Sequence, residues 1–329
     1  MPVVASEFRP PLLLRNGHVQ TILPALLRRR FSRRFVRERL ELDDGDFLDL
    51  DWARAGHNRL AIISHGLEGA TEAGYIRGAA AALNTAGWDA LAWNFRSCSG
   101  ELNRLLRFYH SGETGDLQAV ICHAAESYRQ VTLVGFSLGG NVTLKYLGEA
   151  PPHRAVIAAA AVSAPVDLAS SARALDQRRG NRIYLRHFLR SLIAKVEAKA
   201  VRFPDQLSAA GVRAIRSFQE FDDRYTAPLH GFRDAEEYWQ QASARPYLRA
   251  VRVPALLLNA RNDPFLTDAS FPHEEASASE HLYLEAPASG GHCGFIDFAR
   301  GLQPWWERRV VEFLGIAADA AKLSSLRSS

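Results

Sequence analysis

"VTLVGFSLGGN", residues 131–141, begins as a strand-like apolar run and ends in glycines gathered around one serine. The helix-like "NVTLKYLGEA" follows, so Gly135-Phe136-Ser137-Leu138-Gly139 falls at a strand-to-helix turn. A chain that bends this sharply crowds its own neighbours, and glycines two before and two after the bend relieve the clash. The side chain at the bend then projects into the cleft above the sheet. The turn reads as a mount for Ser137 as a nucleophile, with a helix N-terminus favouring negative charge beside it. A plain glycine-rich turn is the blander reading of the same letters. The strand before the motif and the helix after it favour the nucleophile.

A serine hydroxyl is weak at neutral pH, so it needs a base in contact and a group that orients the base. Late in the chain, "ASGGHCGF" offers His292 after two glycines that allow the backbone a close approach. His18, His57, His65, His110 and His123 precede the serine, against a Ser…Asp…His order. His153, His187 and His230 sit before or within a helical stretch, and His273 and His281 lack a comparable glycine loop. For the orienting acid, Asp263 in "LLLNARNDPF" ends a strand, and the proline after it opens a loop. Asp268 and Asp167 are its competitors. The developing oxyanion needs preorganised N–H donors, each worth about 3 kcal/mol. Leu138, next to the serine, supplies one backbone N–H. "ISHGLEGA" fits the loop for the other, with Leu67 as the expected donor, although it could also be a simple turn.

Around this constellation the chain alternates short apolar runs with helix-length segments. "LAIISHG" (60–66), "WDALAWNFR" (88–96), "VTLVGF" (131–136), "AVIAAAAVSAP" (155–165), "PALLLNARND" (254–263) and "HLYLEAPASGGH" (281–292) read as strands. Near-continuous hydrophobicity in strands that alternate with helices implies an α/β architecture, a mostly parallel sheet covered on both faces. "RERLELDDGDFLDLDWA" (37–53) reads as an antiparallel hairpin at the sheet edge, with Asp-Gly at its centre. Residues 167–252 contain no convincing strand. In "NRIYLRHFLRSLIAKVEAKA", Ile183, Leu185, Phe188, Leu189, Leu192, Ile193 and Val196 recur at helical spacing. The resulting organisation is an N-terminal arm (1–36), a core (37–166 and 253–316), a helical cap insertion (167–252) and a flexible tail (317–329).

Composition narrows the function. The chain has 329 residues, 47% hydrophobic and 23% charged, ample for a packed core. The net charge of +4 raises nucleic acid as a partner, but 36 acids are interspersed with the 40 bases, of which only four are lysines. "RRRFSRRFVRER" (28–39) is the exception, with seven arginines; a solvated helix face is the blander alternative to a nucleic-acid or anionic-lipid patch. Cys98, Cys122 and Cys293 have no C-x-x-C spacing, which excludes a cysteine zinc framework and fits a reducing compartment. No leader-like stretch and no run long enough for a bilayer is present, so a soluble cytoplasmic protein is expected.

Seven motifs carry a family resemblance: "NGHVQTI" (16–22), "SHGLEG" (64–69), "NFRSCSGELNR" (94–104), "YHSGETGDL" (109–117), "GFSLGGN" (135–141), "FDDRYTAPLHGFRDAEEYW" (221–239) and "GGHCGF" (290–295). The chain resembles the α/β-hydrolase superfamily, in its YheT-like group, which includes the mammalian abhydrolase-domain 1 and 3 proteins and yeast medium-chain ester synthases. The resemblance implies the α/β-hydrolase fold and a catalytic triad that carries over to Ser137, Asp263 and His292. It also implies esterase, lipase or acyltransferase action on short- to medium-chain acyl groups. Eukaryotic members carry an N-terminal membrane segment that is not matched here, which weighs against a membrane-bound phospholipid role. "YHSGET" and "FDDRYTAPLHGF" could line a substrate pocket or brace the cap, and "NGHVQTI" is expected to pack the arm near the cleft. The expected protein is therefore a serine hydrolase that cleaves carboxylic esters of short- to medium-chain acyl groups through an acyl-enzyme, with no metal, cofactor or nucleic acid. Its rivals are an acyltransferase to an alcohol, an idle α/β-hydrolase scaffold, and a nucleic-acid binder acting through 28–39.

Overall fold

The computed structural model describes residues 3–27, 35–298, 301 and 303–327. Among these, nine strands form one sheet: β1 Val3–Val4, β2 Val36–Glu41, β3 Phe47–Ala53, β4 Arg59–Ser64, β5 Asp89–Trp93, β6 Gln130–Phe136, β7 Val156–Val162, β8 Ala255–Leu258 and β9 Leu282–Glu285. Their spatial order is β1-β9-β8-β7-β6-β4-β5-β3-β2. Neighbours from β1 to β5 are parallel, whereas β3 runs antiparallel to β5 and β2 to β3. The β2–β3 pair is the edge hairpin expected over 37–53.

The apolar strands feed two layers because successive side chains point to opposite faces. In β7, Ala159 and Ala161 join one core with Leu133 and Leu257, while Ala158, Ala160 and Val162 join the other with Val134 and Leu256. The first core is covered by α3 (Thr114–Ala125) and α4 (Leu138–Glu149), through Leu117, Val120, Val142 and Leu147. The second is covered by α2 (Gly74–Thr85) and α11 (Trp305–Arg327), through Ile76, Leu83, Trp306 and Leu314. Each fully buried side chain of this size stabilises the fold by about 1.5–3 kcal/mol over its exposed state.

The chain leaves β4 for β5 on one side, and β6 lies on the other. Such a reversal opens a crevice at the carboxyl ends of the strands, the natural seat of a ligand in an open α/β sheet. Both Ser64 at the end of β4 and Phe136 at the end of β6 point the chain into that crevice. Between β7 and β8 the segment 167–252 holds α5 (Leu168–Gln177), α6 (Arg182–Arg202), α7 (Phe218–Phe221), α8 (Ala227–Leu229) and α9 (Ala235–Ala242), and no strand. These helices share a third apolar cluster that includes Leu185, Leu189, Phe218, Phe221 and Trp239. It meets the sheet domain at Phe265. After β8 comes the short α10 (His273–Ser277), and before β2 lies α1 (Gly17–Leu27).

Three expectations need correction. The N-terminal arm is not only an arm, because β1 adds a parallel strand beside β9. The tail from Ala317 is not a frayed end: α11 continues to Arg327, and Ala317 and Ala318 are buried against the second core. Of the arginine-rich patch, residues 28–34 lie outside the described residues. The rest is strand rather than helix: Arg37 and Arg39 sit on β2 and ion-pair with the buried Asp51 and Asp49. Among the described residues no helix is long and apolar enough to cross a membrane.

Candidate active site

β6 leads directly into the bend at Ser137, whose φ of 52° lies in the left-handed region that non-glycine residues seldom occupy. Its N–H donates to Val162 O at 2.9 Å, tying the turn to β7. The two glycines of the motif answer a packing demand. A Cβ on Gly139 would lie 2.5 Å from the carbonyl oxygens of both Ser64 and His65. A Cβ on Gly135 would lie 2.6 Å from Gly139 C and Thr143 Oγ1. α4 can start under the bend only because its first turn rests on the backbone of β4.

The same contact brings the loop after β4 to the serine, since a Cβ on Gly66 would be 3.2 Å from Ser137 Cβ. Leu67 follows, and neither its N–H nor that of Leu138 is taken by another group among the described residues. His65 fixes the loop from beneath. Its Nε2 accepts the Phe95 N–H at 3.2 Å, which leaves Nδ1 protonated to donate to Gly66 O at 2.7 Å. Burial lowers its pKa from 6.5 to about 4, so it stays neutral. His65 is thus a brace.

Asp263 and His292 meet at the same rim. His292 Nδ1 donates to Asp263 Oδ2 at 2.8 Å, and the other carboxylate oxygen accepts the Phe265 N–H at 2.9 Å. With Nδ1 donating, the imidazole carries its lone pair on Nε2. The Phe265 ring lies 4.2 Å from the imidazole, centroid to centroid, and holds its tilt. The competing acids are used elsewhere: Asp167 caps α5 by accepting the Ser170 N–H at 2.9 Å, and Asp268 opens a short 3-10 turn.

Ser137, His292, Leu67 and Leu138 border one cavity with Leu175, Phe188, Leu192, Phe218 and Phe265. Ser137 and His292 share this cavity without a direct hydrogen bond between them. Such contacts are commonly loose until a substrate closes the site.

The histidine is held by parts of the chain far from it in sequence. The His292 N–H donates to Thr21 Oγ1 at 2.9 Å, and Gly291 N–H donates to Asn262 Oδ1 at 3.1 Å. Gln20, fully buried, closes a pair with Ile296 at 2.8 Å in each direction. Gly291 has φ +61°, and a Cβ there would lie 2.5 Å from Gly17 O. Asn262 Nδ2 in turn donates to Arg15 O at 2.7 Å. α1 therefore wedges under the histidine loop and beside the acid loop. His18 stacks on Tyr184 of α6, with Nδ1 3.1 Å from its hydroxyl. "NGHVQTI" was visible as a motif, but the partners of Gln20 and Thr21 were not.

Residues of the two motifs without an assigned role border the cavity and brace the insertion. In "YHSGET", Tyr109, His110 and Ser111 border the cavity, while Ser111 N–H donates to Tyr238 OH at 2.9 Å. Asn141 clamps this segment to α9, donating to Ser111 O and Ala242 O at 2.8 Å each. Asp222, also at the cavity wall, accepts from Trp239 Nε1 at 2.8 Å and Thr226 Oγ1 at 2.6 Å; burial raises its pKa to about 7.

His110, Glu113 and His230 bring potential metal-ligand atoms within 4.8 Å of one another. Their hydrogen bonds oppose that use. Gly112 N–H donates to His110 Nδ1 at 3.1 Å, which puts the proton on the Nε2 that faces Glu113. Arg107 also pairs with Glu113 at 3.2 Å, and burial lowers both histidine pKa values to about 3.

Comparison with known proteins agrees with this architecture. A family model described as the alpha/beta hydrolase fold matches residues 62–299. An Escherichia coli (strain K12) protein named "Putative esterase YheT" is 37% identical, over 96% of this chain and 95% of its own. The mouse phospholipase ABHD3 is 27% identical, over 90% of this chain and 75% of its own. A solved Pyrococcus furiosus esterase superposes with a TM-score of 0.59 at 16% identity, covering 87% of this chain and 92% of that one, a likeness of fold. From the strand-turn-helix at Ser137 to the matched relatives, the chain belongs to the α/β-hydrolase family, in its YheT-like group.

Proposed function

We propose that the protein is a serine carboxylesterase that cleaves esters of short- to medium-chain acids through an acyl-enzyme. One observation carries the reading: a largely apolar cavity bordered by Ser137, by an Asp263-oriented His292, and by Leu67 and Leu138, whose backbone N–H groups are untaken among the described residues. His292 Nε2 takes the Ser137 proton as Oγ attacks the acyl carbon, and the Leu67 and Leu138 N–H groups receive the oxyanion. The tetrahedral adduct collapses, and the alcohol leaves with the proton from His292. Water, deprotonated by the same nitrogen, then attacks the acyl carbon and frees the acid, while Ser137 recovers its proton. Asp263 holds the imidazole in this orientation and stabilises the imidazolium.

The wall formed by Leu168, Leu175, Phe188, Leu192 and Phe218 suits an alkyl chain rather than a polar acid. The names of the relatives, an esterase, a phospholipase and a yeast monoacylglycerol lipase, support esters as the substrate class. A panel of p-nitrophenyl esters from acetate to palmitate, run with and without ethanol, tests the reading. A kcat/KM maximum at intermediate chain length, with free acid as the main product, is expected. Ethyl ester outpacing acid would assign an acyltransferase instead, and no turnover of any ester would overturn the proposal.

A further inference from the structure

Glu68 directly follows the proposed oxyanion donor Leu67, and its φ of 53° places it too in the left-handed region. Its side chain is only 1% exposed. An isolated buried carboxylate is costly unless it is paired and hydrogen-bonded, so its partners are informative. Lys195 Nζ donates to Oε1 at 2.7 Å, Tyr109 OH donates to the same oxygen at 2.8 Å, and Ser191 Oγ donates to Oε2. The Glu68 N–H donates back to Tyr109 OH at 2.9 Å, so backbone and side chain are gripped together. Lys195 also reaches Cys98 Sγ at 3.1 Å.

Ser191 and Lys195 are four residues apart on α6, so they share one face of that helix. Leu192, from the same turn, borders the same cavity as Leu67. The carboxylate therefore joins a helix of the insertion that roofs the cavity to the residue beside the oxyanion donor. Nothing in the hydrolytic chemistry uses Glu68, Lys195 or Ser191 directly. A plain salt bridge anchoring the insertion could sit anywhere along α6; this one ends on a left-handed backbone one residue from the proposed oxyanion donor.

We propose that Glu68 is a positioning residue: by tying α6 to the loop after β4, it holds the Leu67 N–H on the oxyanion only while the insertion is seated. The proposal rests on the oxyanion role assigned to Leu67. When α6 lifts, Lys195 and Ser191 withdraw from Glu68, the left-handed turn relaxes and the donor swings off target. Turnover and closure of the roof are thereby linked.

The test uses Glu68→Gln, Lys195→Met, Lys195→Arg and Ser191→Ala in the full chain, with p-nitrophenyl butyrate and a fluorophosphonate probe. Titration with the probe counts competent Ser137, so misfolded protein drops out of kcat. Removing a whole oxyanion donor costs on the order of 10²–10³ in kcat, so misplacing one should cost about 10- to 50-fold. Lys195→Met and Glu68→Gln are expected to show that loss in kcat, with KM changed less than about twofold, and Lys195→Arg to restore most of it. Ser191→Ala, the mildest change and the least able to unfold the chain, is expected to lower kcat by about three- to fivefold. The double variant Glu68→Gln/Lys195→Met should be no slower than the slower single one. Unchanged kcat in all four, with only the melting temperature lowered, would reduce the cluster to an anchor and overturn the proposal. Failure of the underlying reading has a different signature: ester turnover that survives Ser137→Ala.

Discussion

The serine turn and the histidine loop reach the same cavity by opposite means. Ser137 is positioned by its own neighbours, since Gly135, Gly139 and the start of α4 pack on one another and on the end of β4. His292 is positioned by the other end of the chain, through Thr21, Gln20 and Gly17 of α1, some 270 residues earlier. The first arrangement is a local steric solution with almost no freedom. The second is a set of hydrogen bonds across the sheet edge that can be loosened one at a time. The site therefore has one rigid member and one adjustable member, and variants should separate them.

The largest effect is expected at Ser137, the proposed nucleophile. Ser137→Ala should leave the fold intact and lower kcat on the order of 10⁴- to 10⁶-fold, measured by ester hydrolysis with unfolding curves as control. Gly139→Ala attacks the rigid side. Its methyl group would meet two carbonyl oxygens that are fixed in the sheet, so a loss of about 3 kcal/mol or more in denaturant unfolding is expected, with activity lost as well. Thr21→Val loosens the adjustable side by leaving the His292 N–H unpaired. The expected cost is about 1–2 kcal/mol, read as a kcat near a tenth of the parent's with a nearly unchanged melting temperature. Equal damage to stability from Gly139→Ala and Thr21→Val would erase the contrast.

This division also decides what could be read from the sequence. G-x-S-x-G between a strand and a helix is a local signal, so Ser137, Leu138 and the strand under them were legible. So were Asp263 and His292, because each follows an apolar strand with a turn residue beside it. The grip of Thr21 on His292 and of Lys195 on Glu68 joins positions hundreds or scores of residues apart, and no periodicity records such pairings. β1 was invisible because two residues are too few for an alternating pattern. The continuation of α11 past Ala317 was hidden by small residues, whose burial depends on how closely that helix lies on β7. Arginines 37 and 39 looked like a solvated face until the buried acids of β3 were beside them.

The smallest effect concerns the braces rather than the chemistry. Burial holds His65 at a pKa of about 4 and His110 and His230 at about 3, against 6.5 when unfolded. Between those values the unfolded chain binds more protons, so stability falls as pH drops from about 6.5 towards 4. Asp222 works in the opposite sense. Its raised pKa, about 7, gives stability at low pH that is lost as pH rises through that value. Burial raises Asp116 and Asp176 in the same sense as Asp222. The carboxyls of Asp44, Asp46, Asp51 and Asp89 are instead lowered and lose stability on acidification together with the three histidines, so the melting temperature should decline below pH 6.5. A flat profile down to pH 4 would contradict the neutral, buried state of these rings.

The site at which a fluorophosphonate attaches tests the assignment of Ser137 most directly. Intact-mass and peptide analysis after labelling should give one adduct per chain, on the peptide containing residue 137, with none in Ser137→Ala and slow labelling in His292→Ala. An adduct on another residue, or one that persists at the parent's rate in Ser137→Ala, would contradict the claim that this turn carries the nucleophile.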